Sequence, residues 1–124
     1  MAIIVCKIVN LKLNDREVRV ADIKKACIRN IADAAEKCRF IDRIVLFGSS
    51  LEDRCTNESD VDIAVFGNIS KTRCLTSKEY KDFTHQLYRF DNYSQNYDIL
   101  YFKTGSDNNS FIRQEIEKGA VIYG

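Results

Sequence analysis

The chain has 124 residues, with 19 basic and 18 acidic side chains, five glycines and no proline. Its hydrophobic content of 45% and charged content of 30% are ordinary for a globular domain, which excludes collagenous, low-complexity and disordered chains. A formal net charge of +1 provides no general attraction to nucleic acid or to an anionic membrane. The length predicts a single domain over residues 1–124.

Five cysteines are an odd number, and the chain has one histidine, so neither a disulfide framework nor a thiol-based zinc site is expected. The sequence has no apolar stretch long enough for a membrane span, and its opening apolar run is too short for a signal-peptide core. We therefore expect a cytoplasmic protein with reduced thiols and no membrane association.

Two elements are predicted in the first third of the chain. The segment from Ile3 to Leu13 is rich in Ile and Val and predicts an extra N-terminal strand within residues 1–13. After the capping pair Asn14-Asp15, apolar residues at three- and four-residue spacing predict one helix of about five to six turns from Val20 to Cys38. Lys24 is predicted on the solvent-facing side of this helix.

The rest of the chain alternates between strand and helix patterns. Thr76 and Glu79 form a capping-box pattern at a helix start, and Gly119 suits the left-handed position after the last helix. The predicted strands are 44–47, 61–66, 97–102 and 120–123, and the segment 106–109 is predicted to cap the last helix. These elements predict an α/β (α+β) domain with a mixed β-sheet flanked by helices.

The most informative segment is the strand that ends at Gly48-Ser49. Glycine lets the backbone turn sharply and lets a phosphate approach the main chain, since it has no Cβ. The residues that follow begin a helical turn, whose free N–H groups attract phosphate oxygens, and the Ser49 hydroxyl is a further donor. Gly48 and Ser49 are therefore predicted to bind a triphosphate.

Two aspartates, Asp60 and Asp62, alternate with apolar residues in the next strand. Residues two apart in a strand point the same way and lie about 6.6 Å apart, so these carboxylates repel unless a cation lies between them. Hard oxygen ligands of this kind suit Mg²⁺. If the strand that carries Asp98 lies alongside, three carboxylates converge, which is enough for the two ions of a phosphoryl-transfer site. Asp60, Asp62 and Asp98 are thus predicted to be metal ligands and catalytic residues.

The segment from Ile44 to Phe66, IVLFGSSLEDRCTNESDVDIAVF, resembles the signature of the DNA polymerase β-like nucleotidyltransferase superfamily. The short length, the ten-residue spacer and the ending from Ile116 to Tyr123 are similar to minimal nucleotidyltransferase (MNT) domains, which are partners of HEPN toxins. The resemblance covers residues 15–124. Many relatives have a second small residue, a second glycine and an arginine soon after Gly-Ser, whereas this chain has Leu51-Glu52-Asp53 and then Arg54.

This resemblance implies transfer of AMP from ATP to a hydroxyl acceptor, with two Mg²⁺ ions and release of pyrophosphate. By position, Gly48 and Ser49 would hold the β- and γ-phosphates. Asp60 and Asp62 would bind both metals. Asp98 would complete one metal site and help deprotonate the acceptor hydroxyl. Arg54 is either a contact to the triphosphate or a solvated loop residue.

A catalytic core of this type uses nearly all 124 residues, so we expect the acceptor to bind at a surface shared with another chain. With the resemblance, this favours a HEPN toxin that is neutralised when AMP is transferred to its tyrosine hydroxyl, which makes the chain an antitoxin. Two alternatives stay open. One is an antitoxin that acts by binding alone. The other is a small-molecule (antibiotic) nucleotidyltransferase, which would need a homo-oligomer to complete its pocket. Direct nucleic-acid binding is not expected.

Overall fold

The structure, a computed structural model, describes residues 6–105 and 110–124. The predicted capping segment 106–109 and the first residues of the predicted N-terminal strand lie outside these ranges. The strands are β1 (Ile8–Leu13), β2 (Arg16–Ala21), β3 (Ile41–Phe47), β4 (Val61–Gly67), β5 (Tyr97–Lys103) and β6 (Ala120–Tyr123). The helices are α1 (Lys25–Glu36), α2 (Lys71–Thr76), α3 (Lys78–Arg89) and α4 (Ser110–Glu117), with short 3-10 turns at Asp22–Lys24 and Gly48–Leu51.

A four-stranded mixed sheet forms the centre of the molecule. Its strand order is β5-β4-β3-β6, with β4 and β5 parallel and β3 antiparallel to both of its neighbours. The four strands predicted from Ile44 onwards lie within β3, β4, β5 and β6. The predicted mixed sheet with flanking helices is confirmed.

Helices cover both faces of this sheet. Successive side chains of a strand point to opposite faces, so each central strand contributes to two hydrophobic clusters. On one face, Ile44 of β3 and Ile63 of β4 belong to the main core with residues of α1 and α3. On the other face, Val45 of β3 and Ala64 of β4 pack with Ile116 of α4. This two-sided burial explains why β3 and β4 have nearly continuous apolar sequences.

The N-terminal segment forms a β-hairpin, where the sequence predicted one strand followed by a long helix. Strands β1 and β2 pair antiparallel, and the two residues Asn14-Asp15 form the turn between Leu13 and Arg16. Asn14 has a φ of 50°, which asparagine tolerates in tight turns. The predicted helix is therefore wrong at its start, since Val20 pairs with Val9 in the hairpin and α1 begins only at Lys25.

The hairpin packs against β6, the edge strand at the far side of the central sheet from β5. Leu11 and Val20 are fully buried in the main core. Arg16 reaches β6, where its guanidinium donates to the carbonyl oxygen of Val121 at 3.4 Å and to that of Gly124. Strand β2 also contacts the turn Gly48–Leu51. The hairpin therefore packs against the predicted phosphate-binding turn.

Three local predictions are wrong. Ser77 rather than Thr76 caps α3, since its hydroxyl accepts from the N–H of Tyr80 at 3.1 Å. Gly119 does not have a positive φ; a Cβ there would overlap the carbonyl oxygen of Leu46, so glycine is needed for close packing on β3. Lys24 is not on a solvent-facing side, because only 1% of its surface is exposed.

All five cysteines are buried and none forms a disulfide. Cys74 lies in α2, and Cys55 lies in the loop after the Gly48–Leu51 turn. Within residues 6–105 and 110–124, no helix has the length and apolar character that crossing a membrane requires.

Candidate active site

The sheet register brings the predicted aspartates to one edge of the molecule, namely the end of the sheet at which β4 and β5 begin. Asp62 of β4 is the register partner of Asp98 of β5, and these strands run parallel. Asp60 immediately precedes β4. Neighbouring strands lie about 4.8 Å apart, so the Asp62 and Asp98 backbones are adjacent. The structure therefore places side by side the two strands that the three-carboxylate hypothesis requires.

The end of β3 completes this edge. Phe47, the last residue of β3, is the register partner of Asp62 on the side of β4 away from β5. The chain then turns at Gly48, whose φ of 77° lies in the left-handed region. A Cβ at Gly48 would overlap Oδ2 of Asp62. Glycine is required here both by the backbone conformation and by the closeness of the Asp62 carboxylate.

The predicted phosphate-binding segment forms the 3-10 turn Gly48–Leu51, and no side chain of the described residues caps its start. Ser49 is half-buried, so its hydroxyl lies near the surface. Ser50 is fully buried, and its Oγ has no hydrogen-bond partner among the described residues. Of the two serines, Ser49 is the more accessible, and its contact with a phosphate stays a prediction.

The electrostatics of the site centre on Asp62. It is half-buried, whereas Asp60 and Asp98 are exposed. Burial raises the pKa of the Asp62 carboxyl above its ordinary value, and the negative charges of Asp98 and Asp60 raise it further. The folded chain thus holds Asp62 where its charge is unfavourable. A cation between these carboxylates would relieve that cost.

The residues at this edge fit a magnesium ion that arrives with a nucleotide. Among the described residues, no three Asp, Glu, His or Cys side chains are arranged as a ready-made metal site. Mg²⁺ is usually bound by one or two carboxylates together with water and substrate phosphates, rather than by a cage of protein ligands. Asp60, Asp62 and Asp98 supply only oxygen ligands and repel one another, which suits such shared binding.

Arg54 interacts with a neighbouring residue in the loop. It is exposed, and its guanidinium forms a hydrogen-bonded ion pair with Glu52. This hydrogen bond and the charge of Glu52 raise the pKa of Arg54. Of the two interpretations open for Arg54, this conformation matches the solvated loop arginine.

Comparison with known proteins identifies the family. A family model described as polymerase beta, nucleotidyltransferase, matches residues 29–124, which is well over half of the chain. The chain belongs to this nucleotidyltransferase family. A search of curated proteins finds no match. Membership supports a transferase that acts on a nucleotide, and the matched region contains Gly48, the aspartate pair and Asp98.

Sequence reasoning missed one feature next to the candidate active site of this nucleotidyltransferase family member. The buried ammonium of Lys24 lies against the turn that leads into Asp60, where it donates to the carbonyl oxygen of Ser59 at 2.7 Å. The spacing of Lys24 within an apolar pattern indicated a helix surface, and no local signal could show otherwise. Its partner lies 35 residues away in the sequence, so only the tertiary fold reveals the contact.

Proposed function

We propose that this chain catalyses the Mg²⁺-dependent transfer of AMP from ATP to a hydroxyl group in the cytoplasm. The observation that carries the proposal is the pairing of Asp62 with Asp98 beside the left-handed Gly48. The Asp62 carboxylate lies against the backbone of Gly48, and Asp98 lies beside Asp62 on the neighbouring strand. A glycine backbone is one that a phosphate can approach closely, and groups of this kind could bind a triphosphate and its metal ions. Family membership supports the reaction class.

In this proposal, the backbone at Gly48 and the hydroxyl of Ser49 bind the β- and γ-phosphates. Two Mg²⁺ ions held by Asp60, Asp62 and Asp98 would neutralise phosphate charge and lower the pKa of the acceptor hydroxyl. The acceptor oxygen attacks the α-phosphorus, and the bond from that phosphorus to the oxygen bridging the α- and β-phosphates breaks. Pyrophosphate leaves, and Asp98 helps to take up the proton of the acceptor hydroxyl.

For the acceptor, we propose a tyrosine of a partner HEPN toxin, so that the chain acts as an antitoxin. One observation supports a large acceptor. Asp60 and Asp98 are exposed, so the site edge is open to a second protein. The resemblance to MNT domains supplies the choice of HEPN protein.

The test uses the purified chain and the protein encoded by the neighbouring reading frame, incubated with ATP and Mg²⁺. We expect intact-mass spectrometry to show a gain of one AMP, with tandem spectra assigning it to a tyrosine. An Asp62→Asn variant should lower the rate at least about 100-fold, because a neutral amide replaces a charged metal ligand. Asp53→Asn is the matched control: this exposed loop carboxylate lies outside the site, and its loss should leave the rate unchanged.

Two other results would contradict the proposal and identify the alternatives. If the partner gains no AMP and the Asp62→Asn variant still neutralises it fully, the chain is an antitoxin that acts by binding alone. If a homo-oligomer of the chain adenylylates an aminoglycoside and leaves the partner unmodified, the enzyme acts on a small molecule.

A further inference from the structure

A buried lysine lies between the β-hairpin and α1. Lys24 is 1% exposed, and its ammonium has three oxygen partners. It donates to Oε1 of Gln95 at 2.6 Å, to the carbonyl oxygen of Ser59 at 2.7 Å and to that of Asn57 at 3.3 Å. An ammonium has three N–H donors, so its hydrogen bonds are fully satisfied.

These contacts do not explain the lysine as a source of stability. All three partners are neutral oxygens, and among the described residues no carboxylate forms an ion pair with the ammonium, so no such pair offsets its removal from water. Desolvating a charged group is costly, and an apolar side chain of similar volume often serves a buried position as well or better. A buried cation in such a position therefore points to a need for its directed hydrogen bonds.

The partners of Lys24 belong to the two segments that lead into the candidate active site. Asn57 and Ser59 lie in the turn just before Asp60. Gln95 lies three residues before Asp98. Lys24 thus donates hydrogen bonds to the segment just before β4 and to the segment just before β5, the two strands at which the carboxylates lie.

Further hydrogen bonds join these two segments to each other. The side-chain amide of Gln95 donates to the carbonyl oxygen of Ser59 at 3.0 Å and to that of Asn96 at 2.7 Å. The carbonyl oxygen of Asn96 also accepts from the N–H of Val61, the first residue of β4, at 3.0 Å. Lys24, Gln95 and these carbonyl groups form one network, which we call the Lys24 network.

We propose that Lys24 is a positioning residue, which holds the segments carrying Asp60 and Asp98 at the spacing that metal binding requires. This inference rests on the proposed function. Lys24 lies outside the matched region 29–124, in the turn that follows β2. The N-terminal hairpin therefore contributes to the site through this turn. Supporting groups of this kind, behind the metal ligands, are usually worth about 10- to 100-fold in metal affinity or activity.

The experiment measures Mn²⁺ binding by electron paramagnetic resonance, with a non-hydrolysable ATP analogue present, and amide hydrogen exchange over residues 57–61. In Lys24→Met, we expect Mn²⁺ affinity to fall about tenfold and exchange at 57–61 to become faster. Lys25→Met is the matched control, because Lys25 is exposed and adjacent; both readouts should equal those of the wild type.

A second control separates positioning from simple loss of stability. Ile122→Ala removes a buried side chain of β6, the edge strand opposite β5, and so destabilises the fold away from the Lys24 network. Its Mn²⁺ affinity should stay within about twofold of the wild type. If Lys24→Met does not fold, the Gln95→Met variant is used in its place. We expect Gln95→Met to lose less than tenfold in Mn²⁺ affinity and to show faster exchange at residues 57–61.

The inference is overturned if the folded Lys24→Met variant, or the Gln95→Met variant used in its place, binds Mn²⁺ as tightly as Ile122→Ala does. Unchanged exchange at residues 57–61 would overturn it as well. Failure of the proposed function looks different: the wild type would bind Mn²⁺ in a Lys24-dependent way and yet transfer no AMP. A wild type that binds no Mn²⁺ with the nucleotide would overturn both.

Discussion

At the scale of single residues, the candidate active site combines a constrained glycine with an unfavourable charge. Gly48 adopts a φ of 77° directly against the Asp62 carboxylate, whose pKa is raised by burial and by two nearby carboxylates. A left-handed position favours glycine, and clusters of like charges with perturbed pKa values are frequent at functional sites. Both features occur at the same point of this chain, where β3 ends beside β4.

Gly48 can be tested against a second left-handed glycine. Gly48→Ala should lower the free energy of unfolding by more than about 2 kcal/mol, because the left-handed conformation alone costs an L-residue roughly 1–2 kcal/mol and the new Cβ also displaces the Asp62 carboxylate. Gly105→Ala is the control: Gly105 has a φ of 86°, but a Cβ there meets no atom within 4 Å. It should show the conformational cost alone. Urea unfolding measures both, and equal losses would contradict a steric contact at Gly48.

At the scale of elements, the largest difference between expectation and structure is at β2. Val18 and Val20 alternate with charged residues, which fits a strand, yet Val20 also continues the three- and four-residue spacing of α1. Pairing with β1 decides the matter, since every residue of β2 from Arg16 to Ala21 has a register partner in β1. The helix then starts only at Lys25, after the turn that contains Lys24.

The start of α3 gives a direct test of where that helix begins. Ser77→Ala should cost about 1 kcal/mol of unfolding free energy, because the Ser77 hydroxyl accepts from the N–H of Tyr80 at the helix start. Thr76→Ala is the matched control, since the Thr76 hydroxyl is exposed and bonds back to carbonyls of α2. Its cost should be below about 0.5 kcal/mol. Thermal or urea unfolding compares the two variants. A larger loss of unfolding free energy for Thr76→Ala would show that Thr76 is the cap, as the capping-box pattern predicts.

At the scale of the whole molecule, a near-neutral chain concentrates negative charge at one edge of its sheet. The formal net charge is +1, but Asp60, Asp62 and Asp98 share the edge where β4 and β5 begin. Like charges on neighbouring strands destabilise a sheet by roughly 0.2–1 kcal/mol per pair. The metal-free protein should therefore be less stable at neutral pH than its packing alone would allow.

This cost predicts the pH dependence of stability. Because the pKa of Asp62 is raised in the folded chain, its contribution is most favourable below the ordinary carboxyl pKa and is lost as the pH rises through the raised value. Asp62→Asn stays neutral throughout. Without metal, it should be more stable than the wild type by about 0.2–1 kcal/mol at neutral pH, with the difference shrinking in acid. Urea unfolding across this pH range measures the difference, and a variant less stable than the wild type at pH 7 would contradict it.

The sequence by itself determined the local parts of this protein. The apolar runs of β3 and β4, the Gly48-Ser49 turn and the spacing of Asp60 and Asp62 are set by neighbouring residues, so periodicity and glycine placement reveal them. The family resemblance rests on the same segment. The roles of the site residues stay predictions, which the Asp62 variant tests.

Only the tertiary structure decided which distant segments meet. The side-by-side placement of Asp62 and Asp98 depends on β4 and β5 pairing in parallel, across an intervening pair of helices. The burial of Lys24 depends on oxygens that lie 33, 35 and 71 residues away. Such contacts follow from the packing of whole elements, because a side chain's local pattern carries no information about partners so far along the chain.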